Sequence, residues 1–497
     1  MMLVGATTAM AKVGNGDTLA STIAAHSALM NELQTGWQLN PALMAGAYEG
    51  KLSQLSASWN YAMDKKAVVM QQGRGQALWS GEVKSYLPMG RNNTLWGGAS
   101  YHNGMRRDIL WNSTADYALL YPYVMADTLG GNLHTERYTF YGGCATRLGQ
   151  WTIGESINFR AEHEYRTYDP RPRSIATELH INAGVTRQMG FYRIGATVGG
   201  IFYKQTNNVT FYKEEGVVPE YQMTGLGSDY KRFSGNNTSA YYKATGWMAG
   251  LTLTPNKSGA YLAASIDDTP YHRIMTSLND FPITTLYLTR YHVEAGWKHR
   301  GRMAWSVWAA YNYDNRQGDE TIAGTSSVNE YPVLGHLTMY KDHLADASVG
   351  AAMSMGRIMT YTIALQGGLQ NYSARYVFPE RHMAFSKVYG KINAQMAGRM
   401  GRHWLIDARI NAGWHANTER SIIMPQAYME PTETRLVNEM FSASTANYLH
   451  TGASAKIHYL PQWLKGYALF VQAAYIYMKA NNHNNGHRLT VSVGVAF

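Results

Sequence analysis

Residues 151–166 read Trp-Thr-Ile-Gly-Glu-Ser-Ile-Asn-Phe-Arg-Ala-Glu-His-Glu-Tyr-Arg, a stretch whose period is two. Trp151, Ile153, Ile157, Phe159, Ala161 and Tyr165 share one face, and Thr152, Gly154, Ser156, Asn158, Arg160, Glu162, Glu164 and Arg166 share the other. Successive side chains of a strand point to opposite faces, so this is a β-strand with one greasy and one strongly polar side. The pattern recurs at Trp404, Ile406, Ala408, Ile410, Ala412 and Trp414 against Asp407, Arg409 and Asn411, and at Leu179, Ile181, Ala183 and Val185 against Glu178, His180 and Asn182. In a soluble sandwich the apolar face would be the core. Here aromatic residues close the apolar faces at both ends, as at Trp151 and Tyr165, Tyr287 and Trp297, and Trp404 and Trp414. That is the arrangement of paired girdles at two membrane interfaces. The faces are also rich in Ala, Gly and Val, which suits lipid better than an interdigitated core.

Short glycine-containing connectors recur between such segments: Met89-Gly90, Leu148-Gly149, Met189-Gly190, Asn256 to Gly259, Arg300-Gly301, Met355-Gly356 and Met400-Gly401. They alternate with long polar stretches, Asn103 to Thr135, Lys204 to Thr238, Asp314 to Asp342 and His415 to Ser444. Short turns on one side and long loops on the other are the asymmetry of periplasmic turns and extracellular loops. The period predicts strands near 52–63, 77–87, 93–102, 136–147, 151–165, 177–188, 191–203, 240–254, 260–267, 286–298, 303–313, 344–354, 357–369, 383–396, 403–414, 446–459, 467–478 and 488–497. The fold expected is all-β: a transmembrane antiparallel β-barrel of about 18 strands, with 16 as the lower bound, over residues 50–497.

Composition agrees by exclusion. The chain has 497 residues, 45% hydrophobic and 16% charged, yet no apolar run approaches the roughly 18 to 20 residues of a spanning helix. A single cysteine excludes a disulfide framework and a cysteine-based zinc site. The net charge of +10 is spread along the chain without the Lys/Arg blocks of nucleic-acid arms, so no nucleic-acid partner is expected. Tyrosine outnumbers phenylalanine 36 to 12, which favours settings where one end of the ring is apolar and the other wet.

At the N-terminus, Met1 to Ala11 is short, weakly apolar and ends in Ala-Met-Ala, the form of a signal-peptidase site; residues 1–11 are read as the remnant of a signal peptide. Residues 12–49 form a plug segment, with a short helix from Asp17 to Leu33 placed in the lumen or the periplasm. The C-terminal residues Leu489 to Phe497 alternate and put Leu489, Val491, Val493, Val495 and Phe497 on one face. This aromatic-ended strand resembles the assembly signal of outer-membrane β-barrels, which implies that Phe497 is presented to the barrel-assembly machinery. Leu39-Asn40-Pro41-Ala42-Leu43 is similar to the Asn-Pro-Ala segment ahead of the first strand in several Bacteroidota outer-membrane proteins, among them type IX secretion-associated and fatty-acid-channel-like barrels. Taken whole, the chain resembles a Bacteroidota outer-membrane β-barrel family of about this size. No activity is assigned to that family, so the resemblance implies outer-membrane location and fold alone.

If the apolar faces meet lipid, the polar faces line the barrel. Lys84, Arg137, Arg160, Arg193, Arg290, Lys387, Lys391, Arg409 and Lys456 then point inward, and the strands as delimited carry an excess of about six cations. Such a lumen favours anions when open, or solvates a plugged interior when its charges pair. Glu162, Glu164, Glu178 and His180 gather with Arg160 near the outer rim. Three carboxylates and a histidine are a possible divalent-cation set, but Arg137, Arg160 and Arg166 nearby make a salt-bridge network the preferred reading, and no metal is expected. There is no G-x-S-x-G elbow, Gly98 to His102 having the wrong spacing, and Cys144 falls on the apolar face. No catalytic residue and no cofactor are expected. The reading is a solute channel or barrel subunit with an anion-favouring lumen; the alternative is a non-conducting scaffold that binds a surface lipoprotein or a TonB-dependent transporter.

Overall fold

The structure is a computed structural model and describes residues 15–33, 39–212, 220–235, 239–327, 330–425 and 431–497. The expected leader at residues 1–11 lies outside the described residues.

Strands run in chain order as β1 (Leu52–Asp64), β2 (Gly75–Met89), β3 (Asn93–Ile109), β4 (Met125–Ala126), β5 (Gly131–Leu148), β6 (Trp151–Tyr165), β7 (Arg171–Met189), β8 (Tyr192–Thr210), β9 (Tyr221–Gln222) and β10 (Ala240–Pro255). They continue as β11 (Ser258–Met275), β12 (Phe281–His299), β13 (Met303–Ala323), β14 (Val333–Gly356), β15 (Met359–Tyr376), β16 (Arg381–Met400), β17 (Trp404–Ile423), β18 (Tyr448–Tyr459), β19 (Ala468–Ala480) and β20 (Asn485–Ala496). All but β4 and β9 belong to one 18-stranded sheet. Every neighbour pair is antiparallel, and β20 pairs with β1 from Gln54↔Ala496 to Asp64↔Gly486, so the sheet closes on itself. Phe497 extends the seam by exchanging two backbone hydrogen bonds with Ser53, at 2.8 and 2.9 Å.

The two-residue period sets the two surfaces. Ile153, Ile157, Ile181, Val198, Leu365, Ile410 and Val493 are exposed on the outside. Trp404 and Trp414 stand ten residues apart on β17, as do Tyr287 and Trp297 on β12, and all four are exposed. At roughly 3.3 Å per residue and a tilt near 40°, ten residues rise about 25 Å, the height of an outer-membrane apolar band. Cys144 also lies on the outer surface, where its Sγ donates to Glu155 Oε1 at 3.3 Å.

Short turns lie at one end, with Gly149 and Gly190 at positive φ (65° and 58°) in the two-residue turns β5–β6 and β7–β8, a conformation glycine adopts without a Cβ penalty. At the other end the strands run well past the expected boundaries: β13 reaches Ala323, β14 begins at Val333 and has 24 residues, and β17 reaches Ile423. A strand needs only about 9 to 11 residues to span. The wall therefore projects beyond the outer girdle, and much of the sequence expected as loop is paired strand. The tails of β13 and β17 are mostly polar on both faces, and that of β14 carries apolar residues at both parities, Val333 and Leu337 at odd positions and Leu334 and Tyr340 at even ones, so none shows the alternation that marks the spanning part.

The chain ahead of β1 lies inside the turn end of the barrel. Ala20 and Ile23 of the helix α1 (Asn15–His26) pack on Leu52, Leu405, Leu460, Ala468 and Ala496. Further on, Asn40 is fully buried; its Oδ1 accepts from Ala42 N–H at 3.0 Å and its Nδ2 donates to Ala196 O at 3.2 Å. Three inward glycines on adjacent strands make the room. A Cβ on Gly154 would come 2.5 Å from Ala42 N, one on Gly184 2.2 Å from Asn40 Oδ1, and one on Gly195 2.7 Å from Asn40 Nδ2. The Asn-Pro-Ala segment is thus seated in a cradle that only glycines permit. Gly184→Val should expel it at a cost of about 1–3 kcal/mol. Amide exchange of residues 39–45 should rise while the barrel keeps its heat-modifiable gel shift; unchanged exchange would show that the cradle does not hold the segment.

Candidate functional site

The lumen is divided by the chain's own segments. At the loop end, residues 110–130 and 220–235 fold inward, joined by the short ribbon β4–β9. Their side chains form a hydrophobic core with the wall: Tyr117, Tyr123, Tyr203, Tyr242, Tyr271, Tyr340 and Tyr376 pack with Leu120, Leu226, Leu286 and Leu288. Leu436 of the helix Pro431–Ser444 joins them from above. Burial holds the Tyr117, Tyr121 and Tyr123 hydroxyls well above their ordinary pKa, so these phenols stay neutral at all physiological pH.

Wall arginines fasten this cap by its backbone. Arg316 donates to Ala118 O (2.9 Å) and Tyr121 O (3.2 Å), Arg273 to Met223 O (3.1 Å) and Val124 O (3.2 Å), and Arg381 to Leu226 O (3.0 Å). Two ion pairs complete it. Arg166 meets Asp127 at 3.4 Å with both side chains fully buried, and Arg160 meets Asp116 at 2.7 Å.

All nine cations expected in the lumen lie on inward positions, in two electrostatic states. Arg160 also contacts Glu162 (2.7 Å) and Glu178 (3.0 Å); Arg137 pairs with Glu162 (2.8 Å), Arg290 with Asp267 (2.8 Å), and Arg409 with Glu32 (2.8 Å) and Asp407 (3.2 Å). By contrast Lys84, Lys387, Lys391 and Lys456 have no carboxylate partner among the described residues. Lys387, Lys391 and Lys456 sit instead over the rings of Phe385, Tyr389 and Phe470 at 4.8, 4.8 and 4.0 Å. Arg193 points inward at the turn end, where its Nε is buried without a hydrogen bond.

Glu162, Glu164, Glu178 and His180 are held by Arg160, Arg137 and Arg106, with Glu164 on Arg106 at 2.7 Å and Glu178 on His180 at 3.0 Å. They lie beneath the cap and not at the rim, because β7 starts at Arg171, six residues before the expected 177, and carries Glu178 down the wall. Among the described residues no three His, Cys, Asp or Glu side chains gather as a metal-ligand set. The extended strands add inward charges of both signs that the shorter expected boundaries omit: Asp64, bound to Arg488 at 2.7 Å, Glu320 and Asp342, and with them Arg106, Arg273, Arg316 and Arg381.

Two cavities of several hundred Å3 open in the lumen among the described residues. The upper, about 540 Å3, is lined by Asn60, Gln76, His102, Arg106, Asp116 and Arg137. The lower, about 730 Å3, lies beside the N-terminal segment and receives Lys84, Lys456, Arg409, Glu32, Asp407, Gln54 and Gln472. Its roof is tied to the wall: Gln395 Nε2 and Arg409 donate to Ser27 O, both at 2.8 Å, Tyr86 donates to Met44 O at 2.9 Å, and Arg147 donates to Ala45 O at 2.9 Å.

A closed antiparallel barrel with an apolar belt between aromatic girdles is an outer-membrane β-barrel, and this protein resides in the outer membrane. By sequence it belongs to the family described as "Family of unknown function (DUF6850)", which matches residues 41–497. No curated protein matches the chain by sequence. Solved structures similar in general outline include the alcaligin outer-membrane receptor FauA of Bordetella pertussis, at 8% identity and TM-score 0.34 over 88% of this chain and 75% of that one. A ferric enterobactin receptor of Pseudomonas aeruginosa aligns at 8% and 0.38 over 90% and 81%. The outer membrane transporter YddB of Escherichia coli aligns at 8% and 0.41 over 89% and 81%.

One titratable ring of the N-terminal segment is shifted by its burial. His26 stacks on Tyr48 at 4.4 Å, and burial, with a further contribution from the Lys84 charge, lowers its pKa below the ordinary 6.5. A docked state that depresses a histidine pKa is favoured while the ring is neutral, so the contribution is full above 6.5 and is lost as pH falls through the lowered value. Amide protection of residues 19–33, corrected for intrinsic exchange, should therefore drop on acidification from pH 7.5 to 5, by at most about tenfold per pH unit for one proton. His26→Phe should flatten the profile; an equally steep profile in that variant would assign the effect elsewhere.

Proposed function

We propose that the protein is a gated outer-membrane channel for acidic solutes, closed at rest and selective through its lower, lysine-lined chamber. The observation that supports it is the division of the lumen cations. The arginines that fasten the cap have carboxylate or carbonyl partners, and the two carboxylates of the lower cavity, Glu32 and Asp407, are held by Arg409, whereas Lys84 and Lys456 face that cavity without an ion pair among the described residues. Lys84 is exposed to the chamber and Lys456 partly so, and because an unpaired ion held away from water costs several kcal/mol, both call for a chamber that holds water or anions. A barrel that served solely as a scaffold gains nothing from them. In this reading the cap and the N-terminal segment are two gates in series, residues 12–49 act as the plug, and neither catalysis nor a cofactor is involved. Anion preference belongs to the chamber and not to the whole lumen. The family's kinship with Bacteroidota and type IX-associated barrels is part of the same proposal, supported by the Asn40-Pro41-Ala42 segment alone.

The depth of the cap core favours the second reading, a closed barrel that docks a surface lipoprotein or a TonB-dependent transporter. Planar-bilayer recording separates the two. Wild-type protein should conduct little. Arg160→Leu leaves Asp116 with the Tyr203 hydroxyl alone among the described residues, Glu162 with Arg137 and Glu178 with His180, at about 3–5 kcal/mol for a broken buried pair, and should raise conductance with an anion bias. Adding Lys84→Gln and Lys456→Gln should remove that bias. Silence from folded Arg160→Leu protein, and from protein lacking residues 1–50, would decide for the scaffold.

A further inference from the structure

We propose that the lower chamber is a binding site for acidic sugars, in which a flat aromatic platform takes the sugar ring and the lysines take its carboxylate or phosphate. The platform comes from two matching tripeptides, Trp96-Gly97-Gly98 on β3 and Tyr141-Gly142-Gly143 on β5. Their register sets Trp96 opposite Gly143 and Gly98 opposite Tyr141. A Cβ on Gly143 would lie 2.3 Å from Trp96 Cζ2, and one on Gly98 would lie 2.7 Å from Tyr141 Cζ. Each ring therefore reaches over the other strand's glycine, in the space a side chain there would fill, and both residues line the chamber. Tyr141 keeps 37% of its surface exposed, whereas the cap-core tyrosines Tyr242 and Tyr340 keep 1% and 0%. These rings are displayed, not packed.

The polar groups around the platform fit the same ligand. Lys84 and Lys456 supply cations without an ion pair among the described residues, Arg409 is held by Glu32 and Asp407, which line the same cavity, and Gln54, Gln472 and Ser156 supply amide and hydroxyl partners, all around a cavity of about 730 Å3. Small-molecule sites span roughly 300–1,000 Å3, and this one is lined by polar and apolar surface in comparable measure. An apolar ring face, a hydroxylated edge and one or two negative charges are the features of a uronic acid or a sugar phosphate. A simple carboxylate has no use for the rings, and a neutral sugar has none for the lysines. The wall between the two cavities carries Ser56, Ser58, Ser80, Ser100 and Ser492 at inward positions, with the carboxylate Glu82 between Ser56 and Ser100. The inference rests on the channel reading only for how the sugar arrives.

Saturation-transfer NMR on the full chain in detergent tests binding directly, with glucuronate, glucose 6-phosphate, glucose, acetate and inorganic phosphate as probes. At least one of the two acidic sugars should bind about tenfold more tightly than glucose, acetate or phosphate, and the contrast between them tells a carboxylate site from a phosphate site. Trp96→Leu should weaken the acidic sugars about tenfold, while Lys84→Gln with Lys456→Gln should bring them down to the level of glucose. Binding of acetate or phosphate as tight as that of the acidic sugars, equal binding of glucose, or no binding by protein with a normal heat-modifiable shift would each overturn the proposal. If Trp96→Leu binds normally, the rings serve only to cover glycine. Sugar binding without current leaves this inference standing and removes the channel; anion-biased current without sugar binding does the reverse.

Discussion

A β-strand in a bilayer cannot leave an edge, because no water is present to satisfy its unpaired N–H and C=O groups, each worth several kcal/mol. Everything else in this molecule follows from that requirement. It forces the last strand to pair with the first, residue by residue from Gln54↔Ala496 to Asp64↔Gly486, with Phe497 and Ser53 continuing the ladder. It also dictates that side chains alternate between lipid and lumen, since the sheet has only two faces. An apolar outer face with Trp404 and Trp414 at its limits is the sequence's way of stating where the bilayer begins and ends.

Closure creates the second problem, an interior too wide for wall side chains to fill. Small eight-stranded barrels can be filled by their own side chains; larger ones leave a channel or enclose a plug. Here the chain folds back from both ends. The cap is a hydrophobic core in miniature, but one surrounded by a polar wall, and this explains why its aromatics are tyrosines. The Tyr340 hydroxyl donates to Asp342 at 2.6 Å, Tyr376 to Glu320 at 3.0 Å, Tyr242 to Tyr123 O at 3.0 Å and Tyr203 to Asp116 at 3.0 Å. Phenylalanine would bury the same area and leave those acceptors unsatisfied, at about 1–3 kcal/mol each. The tyrosine excess thus has two origins, of which the interfacial one alone is visible in the sequence.

The contrast marks how far the residues can be read unaided. Period two located all eighteen barrel strands and assigned an inward direction to Lys84, Arg193, Lys391 and the rest, because parity is a local property. It understated strand length at the loop end, as over 314–323 and 333–343, and so omitted lumen carboxylates such as Glu320 and Asp342. Pairing was beyond it altogether. That Asp116 descends from a loop onto Arg160, or that Asn40 fits against Gly154, Gly184 and Gly195, depends on chain segments far apart in sequence. A faint trace existed: glycines at inward positions of amphipathic strands are unexplained by lipid or by solvent, and in this chain they mark where a segment or a ring lies against the wall.

The choice between arginine and lysine carries the last step. Arginine's planar fork can engage two acceptors at once and is more weakly hydrated, so it suits dry, fixed contacts; lysine is a compact, strongly hydrated point charge on a flexible stem. The wall uses Arg160, Arg166, Arg273, Arg316 and Arg381 where the cap is fastened, and Lys84 and Lys456 where the lower cavity is open. A lumen built only to stay shut has no reason to divide the two residue types by task, and near the lower cavity too Arg409 and Arg147 make fixed contacts, to the N-terminal segment. Separated as they are, the fastening contacts can break and re-form without the lysines losing a partner, so the lower chamber keeps its charge whether the cap is seated or lifted.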